Sequence, residues 1–292
     1  MKKLIMVSCA LLFLIGCAEE TPTEPEEGKH PVFLGKWFCD DHPVGVAVAP
    51  NGYVYVIYWY LARGGGVAFF TPTGNRLGEW SITGDYRVYD IDIAQNGNVY
   101  AIVGNEIRYY TPIGSLLGKW GSPGSGEGEF YDPDGVAIAP NGNVYVLDSG
   151  NGRVQYFTAA GSYLGKWGGV AQCSALAVAP DGNVYVSHTG GECIKYFTPT
   201  GSLLGRWGSE GSGEGQFKWV REIAVNKSGW VFVADRRNFR IQFFTATGDF
   251  LGKWGTRGTG DGQFENPYSI AIAPDEVIYV ADEGTNRVQY FR

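Results

Sequence analysis

One motif recurs six times along the chain, and nothing else in the sequence constrains the fold as tightly. The copies read VAVAPNGYVYV ending at Val56, IDIAQNGNVYA at Ala101, VAIAPNGNVYV at Val146, LAVAPDGNVYV at Val186, IAVNKSGWVFV at Val233 and IAIAPDEVIYV at Val280. Their spacing is 45, 45, 40, 47 and 47 residues. A period of that size marks stacked copies of one supersecondary unit, not a single irregular core.

Each unit contains four short β-prone runs: one before an Asn-Gly-type turn, one after it, a third such as RVQYF, and a fourth such as SLLGKW after a Thr-Pro-x-Gly turn. The runs are almost continuously apolar, as expected of sheets buried on both faces. Four strands every 40 to 47 residues predict an all-β, six-bladed β-propeller of four-stranded antiparallel blades. The sixth unit ends at Arg292 without its fourth run, and an orphan copy of that run, Val32 to Trp37, precedes the first unit. Pairing the orphan with the last blade is expected to close the ring and remove an exposed edge.

The units resemble NHL repeats, most closely in GVAIAPNGNVYVLDSGNGRVQYFTAAGSYL (135–164) and SIAIAPDEVIYVADEGTNRVQYF (269–291), and the resemblance spans residues 33–292. It implies a β-propeller but no single activity, because such proteins include protein-binding, RNA-binding and enzymatic members.

Ahead of the repeats, residues 1–16 read as a signal peptide, with Lys2, Lys3 and an apolar run too short to span a membrane. Leu14-Ile15-Gly16-Cys17 resembles the lipobox of bacterial lipoproteins, which implies acylation of Cys17. Ala18 follows in place of the Asp that often marks inner-membrane retention in such proteins, so an outer-membrane location is expected, with the periplasmic or surface side left open. Residues 17–31, acidic and rich in Pro and Thr, form a solvated tether, and the propeller is assigned to 32–292. Without the signal, 21 basic residues face 30 acidic ones, a formal charge of −9 that argues against nucleic acid as a partner.

Features that repeat read as structural. Trp37, Trp80, Trp120, Trp167, Trp207 and Trp254 occupy one place in every unit and are expected to pack between blades. Asp148 and Arg153, Asp235 and Arg240, and Asp282 and Arg287 share a spacing of five and are expected to brace the turn between second and third strands. The Gly-rich segments 121–135, 208–222 and 255–269 read as flexible connectors, since no helix follows them and Glu127, Glu214 and Asp261 would repel phosphate.

Features that vary point to a site. One rim has only tight turns, while the other carries the inter-blade connections, where binding residues are expected. Blade one replaces its bracing Asp with Tyr58, Trp59 and Tyr60 in a lengthened loop. At the start of the inner strands stand His42, Arg87, Tyr89, Asp132, Asp134, Trp219, Arg221, Asn266 and Tyr268, which differ from blade to blade. Mixed aromatic and polar groups at one mouth suit a peptide, protein or glycan ligand, with no cofactor, on a monomeric binding scaffold. The alternative is a metal-dependent propeller hydrolase or lyase resembling lactonases, with calcium or zinc in the central channel and Asp90, Asp92, Asp134, Glu222 and Asn266 as candidate ligands. Blade four carries Cys173, His188 and Cys193, which complete no familiar zinc spacing, although a Cys173–Cys193 disulfide is conceivable.

Overall fold

A computed structural model describes residues 30–39, 41–60, 64–82 and 87–292, so the signal peptide, Cys17 and most of the tether lie outside the described residues. The chain forms six four-stranded antiparallel sheets, five of them with strands in simple sequence order. The innermost strands are Pro43–Val48, Val88–Ile93, Pro133–Ile138, Cys173–Val178, Val220–Val225 and Pro267–Ile272. The sixth sheet differs in its order: the strand Phe33–Phe38 lies outside Arg287–Phe291 as the fourth strand. The ring is therefore closed by the two ends of the repeat region, as expected.

At this seam Phe33 faces Phe291 and Trp37 faces Val288. Val32 and Arg292 exchange backbone hydrogen bonds at 2.6 and 3.0 Å. Trp37 is buried with Val56, Phe70, Tyr279 and Val288 in the core between blades six and one.

The interfaces between blades repeat one arrangement. Gly74 has φ +91°, and a Cβ there would lie 2.6 Å from the Trp37 ring, so the outer-strand tryptophan of one blade packs under the glycine turn of the next. None of the six tryptophan indole N–H groups has a hydrogen-bond partner in the protein, so each ring contributes burial and shape. Beside each ring a tyrosine crosses to the same turn: the hydroxyls of Tyr55, Tyr100, Tyr145, Tyr185 and Tyr279 donate to the carbonyls of Pro112, Ala159, Pro199, Ala246 and Pro72. Blade five has Phe232 in that place. Its neighbour is blade six, whose third and fourth strands come from opposite ends of the chain and have no turn to receive a hydroxyl.

The turn-bracing pairs form, and they do more than the sequence suggests. The Asp235 carboxylate is fully buried and accepts from Arg240 Nε at 2.7 Å, from the Asn238 amide, and from the Lys218 N–H at 2.8 Å. The remaining Arg240 nitrogens donate to the carbonyls of Ser212, Gly213 and Gln216, and Gln242 Nε2 donates to Gln216 as well. Blades three and six repeat this set around Arg153 and Arg287. The Gly-rich segments are thus pinned by an arginine and a glutamine in the strand that follows, a correction to the expectation of slack connectors. Arg240→Met leaves the Asp235 carboxylate buried without its cation, and we expect a loss of about 3–5 kcal/mol. Urea denaturation checks this, and a cost below about 1 kcal/mol would show the pair to be dispensable.

Candidate functional site

Every blade has a β-bulge at the start of its inner strand, at Pro43/Gly45, Val88/Ile91, Pro133/Gly135, Cys173/Ala175, Val220/Ile223 and Pro267/Ser269. An extra residue there bends the strand and re-aims its side chains, which explains why the variable positions gather at this end.

Blades five and six supply a connected cluster. Arg221 donates from Nη2 to the Tyr268 hydroxyl at 2.7 Å, and its guanidinium carbon lies 4.6 Å from the Tyr268 ring centroid. The Arg236 guanidinium lies 4.9 Å from the same ring and 5.3 Å from that of Trp219, and Arg237 sits 4.4 Å from Trp219. Arg236 Nε donates to Asn266 Oδ1, and the Asn266 amide donates to Glu283. His42 of blade one faces Glu283 across the seam, 3.8 Å from Nδ1 to Oε1.

Trp219 has φ +60°, a left-handed conformation costly for a bulky residue. Glu192 of blade four holds it there by accepting the N–H groups of Trp219 and Val220 at 2.8 and 3.0 Å.

The other predicted site residues are placed as follows. Asp134 stands near Arg221 and Ser149, and burial raises its pKa. Asp132 is exposed, with φ +46°, and Arg87 is exposed at the corresponding place in blade two. Tyr89 packs against the core between blades two and three. Tyr58, expected on the rim, is only 4% exposed and belongs to the core between blades six and one. The reason is that the strands Val54–Tyr60 and Gly64–Phe70 stay paired through Tyr60 and Gly64, so the insertion lengthens a hairpin where a longer loop was expected. Trp59 and Tyr60 continue that strand, and their side chains lie outside the described residues.

Arg236, Arg237, Glu192 and Glu283 were not anticipated. Arg236 and Glu283 directly follow the bracing Asp235 and Asp282, and the variation Ser149, Thr189, Arg236, Glu283 at that place was the available signal.

Beneath the mouth runs a channel of about 170 Å³ lined by the inner strands. At one level five blades present Ala47, Ala137, Ala177, Ala224 and Ala271, while blade two presents Asp92. Asp90 and Glu222 lie two residues earlier in their inner strands. Asp92 accepts the N–H groups of Ile93 and, across the blade boundary, Ile138, both at 2.7 Å. Asp90 does the same with Ile91 and Val136, both at 2.8 Å. Glu222 accepts the Ile223 N–H at 3.1 Å.

Burial raises all three carboxyls: Asp92 to about 6, Glu222 to about 7, and Asp90 well above the usual range with the nearby Glu222 charge adding to the effect. Asp90 and Asp92 each direct both oxygens to backbone N–H groups, which leaves about one lone pair per oxygen. Among the described residues no group of three His, Cys, Asp or Glu side chains converges as a metal site.

In blade four the three described cysteines of the chain include Cys173 and Cys193, and these, with Cys39, are buried thiols. Cys193 Sγ lies 3.7 Å from His188 Nδ1, and burial pushes the Cys173 thiol up to about 12. The conceivable bridge between them is not formed.

The sequence profile of the NHL repeat matches residues 130–157, the unit with the full Asp148, Asn151, Arg153 network. The chain is a six-bladed propeller that carries a matched NHL repeat in its third blade. No curated protein matches its sequence. Among solved structures the propeller is similar to a streptogramin B lyase, with 15% identity and a TM-score of 0.63 over 90% of this chain and 96% of that one. It is also similar to a structural genomics protein of unknown function from Bacteroides thetaiotaomicron, with 15% identity and a TM-score of 0.70 over 91% and 72%. A virginiamycin B lyase from Staphylococcus aureus aligns with 16% identity and a TM-score of 0.60 over 88% and 98%. At such identities the likeness shows a shared fold.

Proposed function

We propose that this propeller is a non-enzymatic binding module, held on a bacterial outer membrane through acylated Cys17, whose loop-rich mouth engages a peptide, protein or glycan. The observation that supports this reading is the convergence of non-repeating residues: Trp219, Arg221, Asn266, Tyr268 and His42, from three blades, join one network in a scaffold that is otherwise repetitive. Trp219 shares its left-handed backbone with Asp132 and Gln172 at the same place in blades three and four, and Glu192 fixes its direction by accepting its N–H.

A peptide and glycan array probed with the purified protein tests the reading. We expect a hit that Trp219→Ala and Asn266→Ala each weaken at least about tenfold with the melting temperature unchanged. Hits indifferent to both changes would place binding elsewhere. For the anchor, Cys17→Ser is expected to shift the protein from the membrane to the soluble fraction, and continued membrane retention would refute acylation.

A second reading draws on the channel carboxyls and on the lyases among the structural neighbours. Asp92 and Glu222, at about 6 and about 7, can take up and release a proton near neutrality, as a lyase or hydrolase requires. Asp90 and Asp92 are committed to backbone N–H groups, which leaves Glu222 as the one of the three with an oxygen free for such work, so binding is the preferred function.

A further inference from the structure

We infer that Arg221 and Arg236, joined through Tyr268, form a subsite for the carboxylates of an acidic peptide. This rests on the binding function proposed for the mouth and narrows it to one class of ligand.

The argument starts from how differently the arginines of this chain are satisfied. Arg153, Arg240 and Arg287 each face a buried Asp and donate to three backbone carbonyls. Arg221 and Arg236 are also half-buried, yet among the described residues neither forms an ion pair. Each makes a single side-chain hydrogen bond, to an uncharged group: the Tyr268 hydroxyl for Arg221 and Asn266 Oδ1 for Arg236. A guanidinium carries five N–H donors, so most of theirs remain open to a ligand.

Both guanidiniums also lie within 5 Å of the same Tyr268 ring, at 4.6 and 4.9 Å. Two like charges held together in a partly desolvated place repel, and burial followed by the Arg221 charge lowers the pKa of Arg236. An anion between them relieves that repulsion, and a planar carboxylate matches the guanidinium fork.

The nearby acids offset these charges only from a distance, and among the described residues none forms an ion pair with either arginine. Glu283 is engaged by Asn266 and His42. Glu222 accepts the Ile223 N–H, and its pKa of about 7 leaves it partly protonated at neutral pH. Asp134 is directed to Ser149.

Lys218 and Arg237 stand beside Trp219 in a pocket that also holds Glu192 and Glu210; Glu192 is occupied by the Trp219 and Val220 N–H groups, so the two cations offer a second carboxylate contact next to Arg236. A peptide is favoured over an acidic glycan because a sugar ring needs a bare aromatic face. Trp219 is 39% exposed but has the Arg237 and Arg236 guanidiniums 4.4 and 5.3 Å from its ring, and Tyr268 is only 8% exposed.

Calorimetric titration at neutral pH and low ionic strength tests the inference, with blocked hexaglutamate, blocked hexaglutamine, an oligogalacturonate and inorganic phosphate as probes. Saturable hexaglutamate binding is expected, at least about tenfold weaker for hexaglutamine and for the Arg221→Gln and Arg236→Gln proteins. Arg206→Gln, on the outer strand of blade four, should leave it unchanged. If Arg221→Gln does not fold, Arg236→Gln carries the test alone.

Binding of galacturonate or phosphate without hexaglutamate overturns the inference. So does hexaglutamate binding that survives both substitutions, or no binding of hexaglutamate at all. A ligand whose binding is lost in Trp219→Ala but kept in Arg221→Gln and Arg236→Gln would sink this inference while leaving the mouth as the binding site.

Discussion

Deleting Phe33–Phe38 lowers the melting temperature by at least about 10 °C and makes the protein aggregate. The deletion removes Trp37 from a core where it is 8% exposed, and truncation of a buried tryptophan alone costs about 3–5 kcal/mol. It also removes a ladder in which Gly35, Lys36, Trp37 and Phe38 pair with Tyr290, Gln289, Val288 and Arg287. What remains is a bare strand edge on blade six and an uncovered face on blade one.

The consequence reaches the mouth, because the seam between these two blades carries the His42 and Glu283 contact and the hydrogen bond from the Val46 N–H to Ser269 Oγ at 3.1 Å. Ligand binding and the cooperative melt are therefore expected to be lost together. Calorimetry and size-exclusion chromatography read both effects, and an unchanged melting temperature would mean that the strand does not close the ring.

Acidification from pH 8 to pH 5 stabilises this protein through its channel carboxyls, against the usual trend. The folded-state pKa values of Asp92 and Glu222, about 6 and about 7, lie above their ordinary values of 3.8 and 4.5. Between the two values the folded state keeps a proton that the unfolded chain has released, so stability falls as pH rises through this window and levels off above it. Each pH unit of separation is worth about 1.4 kcal/mol per group, which makes the combined effect several kcal/mol.

Glu222→Gln keeps an acceptor for the Ile223 N–H without the buried charge. It should raise the melting temperature at pH 8 by about 4–8 °C and leave it nearly unchanged at pH 4.5. Melting curves across that range decide the matter, and a Glu222→Gln protein that is less stable at pH 8 would contradict the assignment.

The architecture was readable because a propeller writes itself six times over: the Asn-Gly turns, the tryptophans and the Asp–Arg spacing each recur in register. The orphan strand at Phe33 was readable for the same reason, as the one copy missing from the last unit. Interactions that cross blade boundaries were not readable. Gly126 and Gly213 look unrestrained in sequence, yet each is held by an arginine 27 residues further along. Asp90 and Asp92 were grouped as candidate cation ligands, whereas their carboxylates satisfy the unpaired N–H groups of Val136 and Ile138 on the next blade.

In the site, Trp219, Arg221, Asn266 and Tyr268 could be picked out as departures from the repeat. Arg236 and Glu283 were passed over because they sit inside a turn whose neighbouring Asp marks it as structural, although that place varies from blade to blade. Tyr58 looked like a rim residue because an insertion in a hairpin can lengthen either the loop or the strands, and composition does not distinguish the two.

Hydrogen exchange on the intact protein bears most directly on the closed ring that sets the mouth in place. The amides of Phe33–Phe38 that face Arg287–Phe291 should exchange slowly, as do their counterparts in the outer strand Leu116–Trp120 of blade two, while the alternate amides of both strands face outward. Rapid exchange throughout Phe33–Phe38 beside protected amides in Leu116–Trp120 would contradict the closure and the mouth built upon it.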